Sequence, residues 1–429
     1  METVKLYDEY MITSMVPGFD PVEIESAKGA KIRCTSGVEY LDCFSGISVC
    51  NAGHGHPKVT AAAKAQIDEL VHCCTYLYYN PKAGQLAKAL AEITPGDLRK
   101  SFLANSGAEA IEGAMRLARH YTGRSEFVAL THSFHGRTYA TLSITGNASR
   151  KHQGGPFMPG VAFAPAPYSY RCSLGSTSDA ECAERAAEQL AHTLKLQTSG
   201  NVAAFIAEPV LGEGGIIVPH ESYFRYVKEI LDEYDILFIC DEVQTGFGRT
   251  GKLFAIEHYG VQPDIMTTAK GIADGFPLGA FTARSEIADA FTPGSHLSTF
   301  GGNPVSCAAA LANIDVMRDE DLAACAAERG HQIMQALEPL ENELTLVGEV
   351  RGKGLMIGLE LVMDEEKAPA VKHAQEVKRR CREAGLLIGV GGSLANVVRL
   401  QPPLIISEEE TAEVTEKLTA ILRDVSRSL

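Results

Sequence analysis

Short apolar runs alternate with amphipathic stretches through the middle of the chain. Ile236-Leu237-Phe238-Ile239-Cys240 is uninterrupted in apolar character and stops at Asp241-Glu242. Val128-Ala129-Leu130, Ala204-Phe205-Ile206-Ala207 and Ile265-Met266 are shorter runs of the same kind. Such runs, bounded by charged or turn-forming residues, predict strands buried on both faces. Between them Ala110, Ile111, Ala114, Leu117 and Ala118 recur at helical spacing, so a helix opens at Ser106-Gly107. An Ala- and Glu-rich stretch predicts another helix over 179–196. Strands and helices alternate across residues 100–290, the βαβ pattern of a parallel sheet.

The two ends of the chain differ from this middle. Ala27 to Cys34 and Val38 to Asp42 predict a hairpin region. Pro57, after Gly53-His54-Gly55-His56, suits a first helical position. Beyond Pro304 come long amphipathic helices, with apolar positions at Ile333, Leu337 and Leu340. Gly352 to Glu360 reads as one strand, Gly389 to Ser393 as a glycine turn, and Ser407 with Glu410 as a capping box for a last helix. No internal repeat or low-complexity linker breaks the chain. The expected fold is α/β. A large, mostly parallel sheet domain over residues 51–315 is joined to a smaller α+β domain built from residues 1–50 and 316–429.

Composition narrows the function. The chain has 429 residues, 45% hydrophobic and 22% charged, with 39 Lys+Arg against 54 Asp+Glu for a net charge of −15. That balance opposes nucleic acid and anionic membranes as partners. It also means that an anionic substrate must be held by local arginines. Eleven cysteines at irregular spacing, two of them adjacent at Cys73-Cys74, fit reduced thiols of a cytoplasmic protein. Charges at Glu2, Lys5, Asp8 and Glu9 exclude a signal peptide at the start. No apolar run approaches the ~20 residues of a membrane helix.

Candidate chemistry gathers where strands end, the usual place for a site in open parallel sheets. Asp241 closes one predicted strand and Lys270 follows another, inside the small-residue segment Thr268-Ala269-Lys270-Gly271. An aspartate after a strand is often a helix cap, and a lone lysine is often solvated. The glycine-punctuated loop from Asp241 to Gly251 and the small neighbours of Lys270 favour a different reading. A lysine and a carboxylate meeting at one sheet edge suit pyridoxal phosphate, whose aldehyde the lysine takes and whose ring nitrogen the carboxylate pairs with. The Ser106-Gly107-Ala108 turn at a helix start suits an anion, although plain helix capping explains it equally. His54 and His56 lack a third ligand nearby, so no metal is expected. Gly212-Glu213-Gly214-Gly215 is too short and wrongly placed for a dinucleotide fingerprint.

Together Asp241-Glu242-Val243-Gln244-Thr245-Gly246, the Lys270 segment and Thr299-Phe300-Gly301-Gly302-Asn303-Pro304 resemble the class III pyridoxal-phosphate aminotransferases. That group includes the 4-aminobutyrate, ornithine, acetylornithine and alanine–glyoxylate enzymes. Matching pieces run from about Ser45 to Pro403. The resemblance implies a pyridoxal-phosphate transferase of fold type I with a seven-stranded type of large sheet. It implies that Lys270 and Asp241 are catalytic and that Ser106, Gly107 and Ala108 cradle the cofactor's phosphate. Phe134 would stack on the pyridine, beside His135. Val243 would pack on the ring and Gln244 would sit near its phenolic oxygen. Thr299 would reach the cofactor of a neighbouring subunit, in a homodimer or a dimer of dimers.

For substrate, the resemblance implies Arg399 on an α-carboxylate, Arg137 on a distal carboxylate and Ile47 lining the pocket. Glu208 is expected near the cofactor and as the acid that neutralises Arg399 when the carboxylate is absent. The implied reaction moves an amino group from an amino acid or ω-amine to a 2-oxo acid. Amino-acid racemisation or epimerisation on the same scaffold is the alternative. Decarboxylation is disfavoured, because the related dialkylglycine decarboxylase carries glutamine where this chain has Ile47. A non-enzymatic scaffold is disfavoured by the presence of both Lys270 and Asp241.

Overall fold

The computed structural model describes residues 2–12, 14 and 19–427. Its centre is a seven-stranded sheet. In chain order the strands are β1 (Leu98–Ala104), β2 (Glu126–Leu130), β3 (Val161–Ala164), β4 (Val202–Ala207), β5 (Leu237–Asp241), β6 (Ile265–Thr268) and β7 (Gly279–Arg284). They lie side by side in the order β1-β7-β6-β5-β4-β2-β3. β7 runs antiparallel to both its neighbours, and the remaining pairs are parallel. Every residue of β4 and β5 is buried, which is why those segments read as unbroken apolar runs rather than as alternating ones.

Helix α1 (Gly107–Thr122) leaves the end of β1 with its N-terminus capped by Ser106, whose hydroxyl accepts from Glu109 N–H. It packs on the sheet through Ile111, Ala114 and Leu117. Gly113 faces the Phe281 ring so closely that a Cβ would lie 2.2 Å from it. Helix α2 (Pro304–Asp319) begins at Asn303, whose side chain accepts from Val305 N–H and Ser306 N–H. The motif Gly301-Gly302-Asn303-Pro304 is therefore partly a helix start.

The chain ends meet in small sheets. Strands 24–28, 31–34 and 39–42 form a meander, and Leu386–Leu387 joins its edge parallel to Glu39–Asp42. The segment expected as one strand over 352–360 is a hairpin of Val347–Lys353 and Met356–Leu361. Its turn is Gly354, at φ +53°, where a Cβ would lie 2.5 Å from the Thr250 backbone. Periodicity misses such a turn because the first arm, with Glu349, Arg351 and Lys353, carries little apolar pattern, whereas the second arm is fully buried. The expected glycine turn at 389–393 is likewise half strand, since Gly389–Gly391 pairs with Val397–Leu400. The capping box of Ser407 and Glu410 is present as expected. Among the described residues no helix is long and apolar enough to cross a membrane. Among them, no group of three or more His, Cys, Asp or Glu is placed to hold a metal ion.

Arg249, in the glycine loop after β5, is fully buried and ties these pieces together. Its guanidinium donates to Leu355 O at 3.0 Å, Pro402 O, Ser45 Oγ at 3.3 Å and Asn51 Oδ1 at 2.6 Å. Those acceptors come from distant parts of the chain, and burying them without a donor is costly. Arg249→Met should therefore lower unfolding stability by about 3 kcal/mol, measured as a lower urea midpoint. An unchanged midpoint would show that the network contributes little.

Candidate active site

The carboxyl ends of the strands open on one cavity of about 330 Å³. Ser106, Gly107 and Ala108 after β1, Phe134 and His135 after β2, Glu208 after β4, Val243 and Gln244 after β5, and Lys270 after β6 all line it, as does Asp241 at the tip of β5. Parallel strands bring these residues together from widely separated positions, because each strand ends at the same edge of the sheet.

Asp241 is buried at the base of the cavity. One carboxylate oxygen lies 2.7 Å from His135 Nδ1. The other accepts from Val243 N–H at 3.0 Å and Thr267 Oγ1 at 3.3 Å. These contacts hold the carboxylate in a single orientation. Lys270 sits beside it with φ +49°, a left-handed backbone that non-glycine residues adopt at a cost. Asn313 Nδ2 holds the turn by donating to Gly271 O and Ile272 O at 2.8 and 3.2 Å. Asn51 packs on Gly271, where a Cβ would lie 2.5 Å from Asn51 Nδ2. Burial of the Lys270 amine pushes its pKa down to about 8, against the opposing pull of Asp241 and Glu208.

Several features fit pyridoxal phosphate. The first N–H groups of α1, at Gly107 and Ala108, border the cavity without helical acceptors, a ready anion cradle. Gly107 lies so close to Val243 that a Cβ would fall 2.7 Å from its Cγ1. A side chain there would intrude on the cradle. Buried His135 Nε2 and Thr268 Oγ1 have no hydrogen-bond partner. The cavity thus combines an amine of lowered pKa, a fixed carboxylate, an anion cradle and an aromatic wall at Phe134.

The other expected residues are not among those lining this cavity, although the charge of Arg399 reaches Lys270. Arg137 is exposed, with its guanidinium 5.5 Å from the centroid of the Phe134 ring. Thr299 is exposed and does not line the cavity. Ile47 is 45% exposed and sits at φ +70°, an unusual backbone for a β-branched residue. Arg399 is buried, on the strand Val397–Leu400 beside Gly391.

The expectation for Glu208 needs correction. Its oxygens accept from Phe134 N–H and Gly212 N–H, each at 2.9 Å, so it braces two cavity loops. It makes no ion pair with Arg399. Burial raises the Glu208 pKa to about 7. The carboxylate whose field reaches Arg399 is instead Glu213, which also lines the cavity. Sequence reasoning weighed Gly212-Glu213-Gly214-Gly215 only as a dinucleotide fingerprint and gave Glu213 no role. It also passed over Asn147 and Arg150, both of which bond Glu213. Their distance from it along the chain carries no local signal.

The chain is similar to known proteins over nearly its whole length. The chain matches the family Aminotransferase class-III over residues 15–422. It is 42% identical over 406 residues to the acetylornithine aminotransferase of Methanothermobacter thermautotrophicus, covering 94% of this chain and 95% of that one. It is 39% identical over 427 residues to a leucine/methionine racemase of Thermococcus litoralis, covering 99% and 96%. Among solved structures, a thermostable (S)-enantioselective omega-transaminase from Thermomicrobium roseum superposes with a TM-score of 0.91 at 35% identity over 98% of each chain. The chain belongs to the class-III aminotransferases and is a pyridoxal-phosphate-dependent transaminase.

Proposed function

We propose that the enzyme takes an amino group from an amino acid or an ω-amine and delivers it to a 2-oxo acid such as 2-oxoglutarate, pyruvate or glyoxylate, with Lys270 and Asp241 as its catalytic pair. The observation that carries this reading is a lysine of lowered pKa beside a fixed carboxylate on one cavity. When bound, pyridoxal phosphate supplies an aldehyde that accepts the amino group and a ring that withdraws electrons.

The remaining work belongs to side chains. With its pKa lowered to about 8, Lys270 has a far larger neutral fraction at neutral pH than an ordinary lysine, so its amine can take a proton from the substrate carbon and return it. Asp241, oriented by His135, Val243 and Thr267, would pair with the cofactor's ring nitrogen. Ser106, Gly107 and Ala108 would hold its phosphate. Phe134 and Val243 would pack on its ring, with Gln244 near the phenolic oxygen. Arg399 receives the α-carboxylate as a planar, bidentate donor. Arg137, exposed above Phe134, is suited to a distal carboxylate. Glu208 acts as a brace between two cavity loops, and Glu213 is the acid whose charge reaches Arg399. Ile47 would line the substrate pocket, and Thr299 would reach the cofactor of a neighbouring subunit in a homodimer or dimer of dimers, in the cytoplasm.

Amine donors supplied with and without a 2-oxo acid separate the two possible outcomes on this scaffold. Transamination requires the acceptor. Loss of chirality without one would instead mark a racemase, the activity named for the Thermococcus relative. Lys270→Ala should lower turnover by at least about a thousandfold while leaving the circular dichroism unchanged; comparable activity in that variant would overturn the reading. Glu208→Gln should slow the two half-reactions by similar factors in single-turnover experiments, because the residue braces loops common to both. A selective effect on one half-reaction would restore it as the partner of Arg399. Only a neutral amine attacks an aldehyde. Cofactor loading by the apoprotein, followed by visible absorbance, should therefore accelerate as pH rises through about 8 and level off above it. A rise deferred to the ordinary lysine value of ~10.4 would contradict the lowered pKa.

A further inference from the structure

Arg399 is only 6% exposed, yet most of its donors are idle. Its guanidinium lies 5.2 Å from the centroid of the Phe44 ring and close against Gly391, where a Cβ would fall 2.7 Å from Cζ. Nη2 reaches Val390 O only at 3.5 Å, and the buried Nε and Nη1 have no partner. A buried cation in that state calls for an anion. The acid within its field is Glu213, but other donors already hold that carboxylate. Oε1 accepts from Arg150 Nε at 2.9 Å and from Arg150 Nη2. Oε2 accepts from Asn147 Nδ2 at 2.7 Å. Asn147 is itself buried and fixed, with Oδ1 accepting from Ser149 N–H and Oγ and its own N–H donating to Ser133 O.

We propose that Arg150, assisted by Asn147, is a specificity-determining residue that keeps Glu213 away from Arg399 and so reserves Arg399 for the α-carboxylate of the substrate. This rests on the reading of Arg399 given above. Turning Glu213 towards Arg399 would break its bonds to Arg150 and Asn147 and leave the Arg150 guanidinium, largely shielded from water, without its acid. An amine lacking an α-carboxylate would then leave Arg399 buried without an anion. The enzyme therefore favours amino acids over amines of the same length that lack that group. Arg150 acts through Glu213 and touches neither cofactor nor reacting atoms.

L-Glutamate and 4-aminobutyrate differ only in the α-carboxylate, so the ratio of their kcat/KM values reads this preference. In Arg150→Leu, Glu213 is free to pair with Arg399, and the ratio should fall about tenfold. Calorimetry on the holoenzyme provides a readout that needs no turnover. Glutarate carries both carboxylates and butyrate lacks the one proposed for Arg399, and the preference for glutarate should fall by a similar factor. Arg150→Lys, which keeps the charge, should retain most of the preference. Adding Glu213→Gln to Arg150→Leu should restore it. Arg150→Gln repeats the test should the leucine variant fold poorly. The proposal is overturned if both ratios stay within about twofold of the parent in a variant with the parent's visible spectrum and melting temperature. Absence of turnover with every amine, alongside a normal shift in glutarate preference, would instead count against the transaminase substrates proposed above.

Discussion

A carboxylate fixed in a buried pocket beside a buried amine is the constraint on which this structure turns. Asp241 would be costly to bury alone, and His135, Thr267 and the Val243 N–H offset that cost with hydrogen bonds in a fixed geometry. Lys270 gains from the nearby negative charge but loses more by leaving water, so its pKa falls rather than rises. The same burial that makes the pair costly lowers the amine's pKa and so leaves more of it neutral and free to take a proton.

Holding that pair in place draws on much of the fold. The left-handed backbone at Lys270 persists because its turn is gripped from two sides, by Asn313 on α2 and by Asn51 against Gly271. Asn51 also donates to Phe247 O at 2.7 Å and accepts from Arg249, which binds carbonyls near the carboxyl end of the chain. The Lys270 turn is thus linked through hydrogen bonds to residues from both ends of the sequence. The sheet supplies the register, and the loops around Arg249 supply the rigidity.

Electrostatics in the cavity follow a similar division. The chain as a whole is acidic, which disfavours the approach of a dicarboxylate substrate. The correction is local. One arginine is buried without a carboxylate partner on the strand Val397–Leu400, and another lies on the surface above Phe134. Glu213, which could neutralise the first, is engaged by Arg150. Affinity for an anion here depends on which acid pairs with which base more than on net charge.

Much of this was legible from the residues alone. Fully apolar runs marked β4 and β5 because strands covered on both faces need no polar alternation. Asp241 and Lys270 stood out because they follow such runs, and the ends of parallel strands converge whatever the loops do between them. The helix start at Ser106 was readable because capping is a local matter of a few residues. Other features were not legible. The hairpin at Gly354 was hidden because its first arm, with Glu349, Arg351 and Lys353, carries little apolar pattern, and its glycine is required by the distant Thr250 backbone. The pairing of acids and bases was hidden for the same reason: whether Glu208 or Glu213 answers Arg399, and whether Arg150 intervenes, depends on side-chain directions and on competition among donors far apart in the chain. Periodicity and spacing carry local and strand-end information. The choice of partner in a buried polar network is a property of three-dimensional packing, and only the tertiary structure decides it.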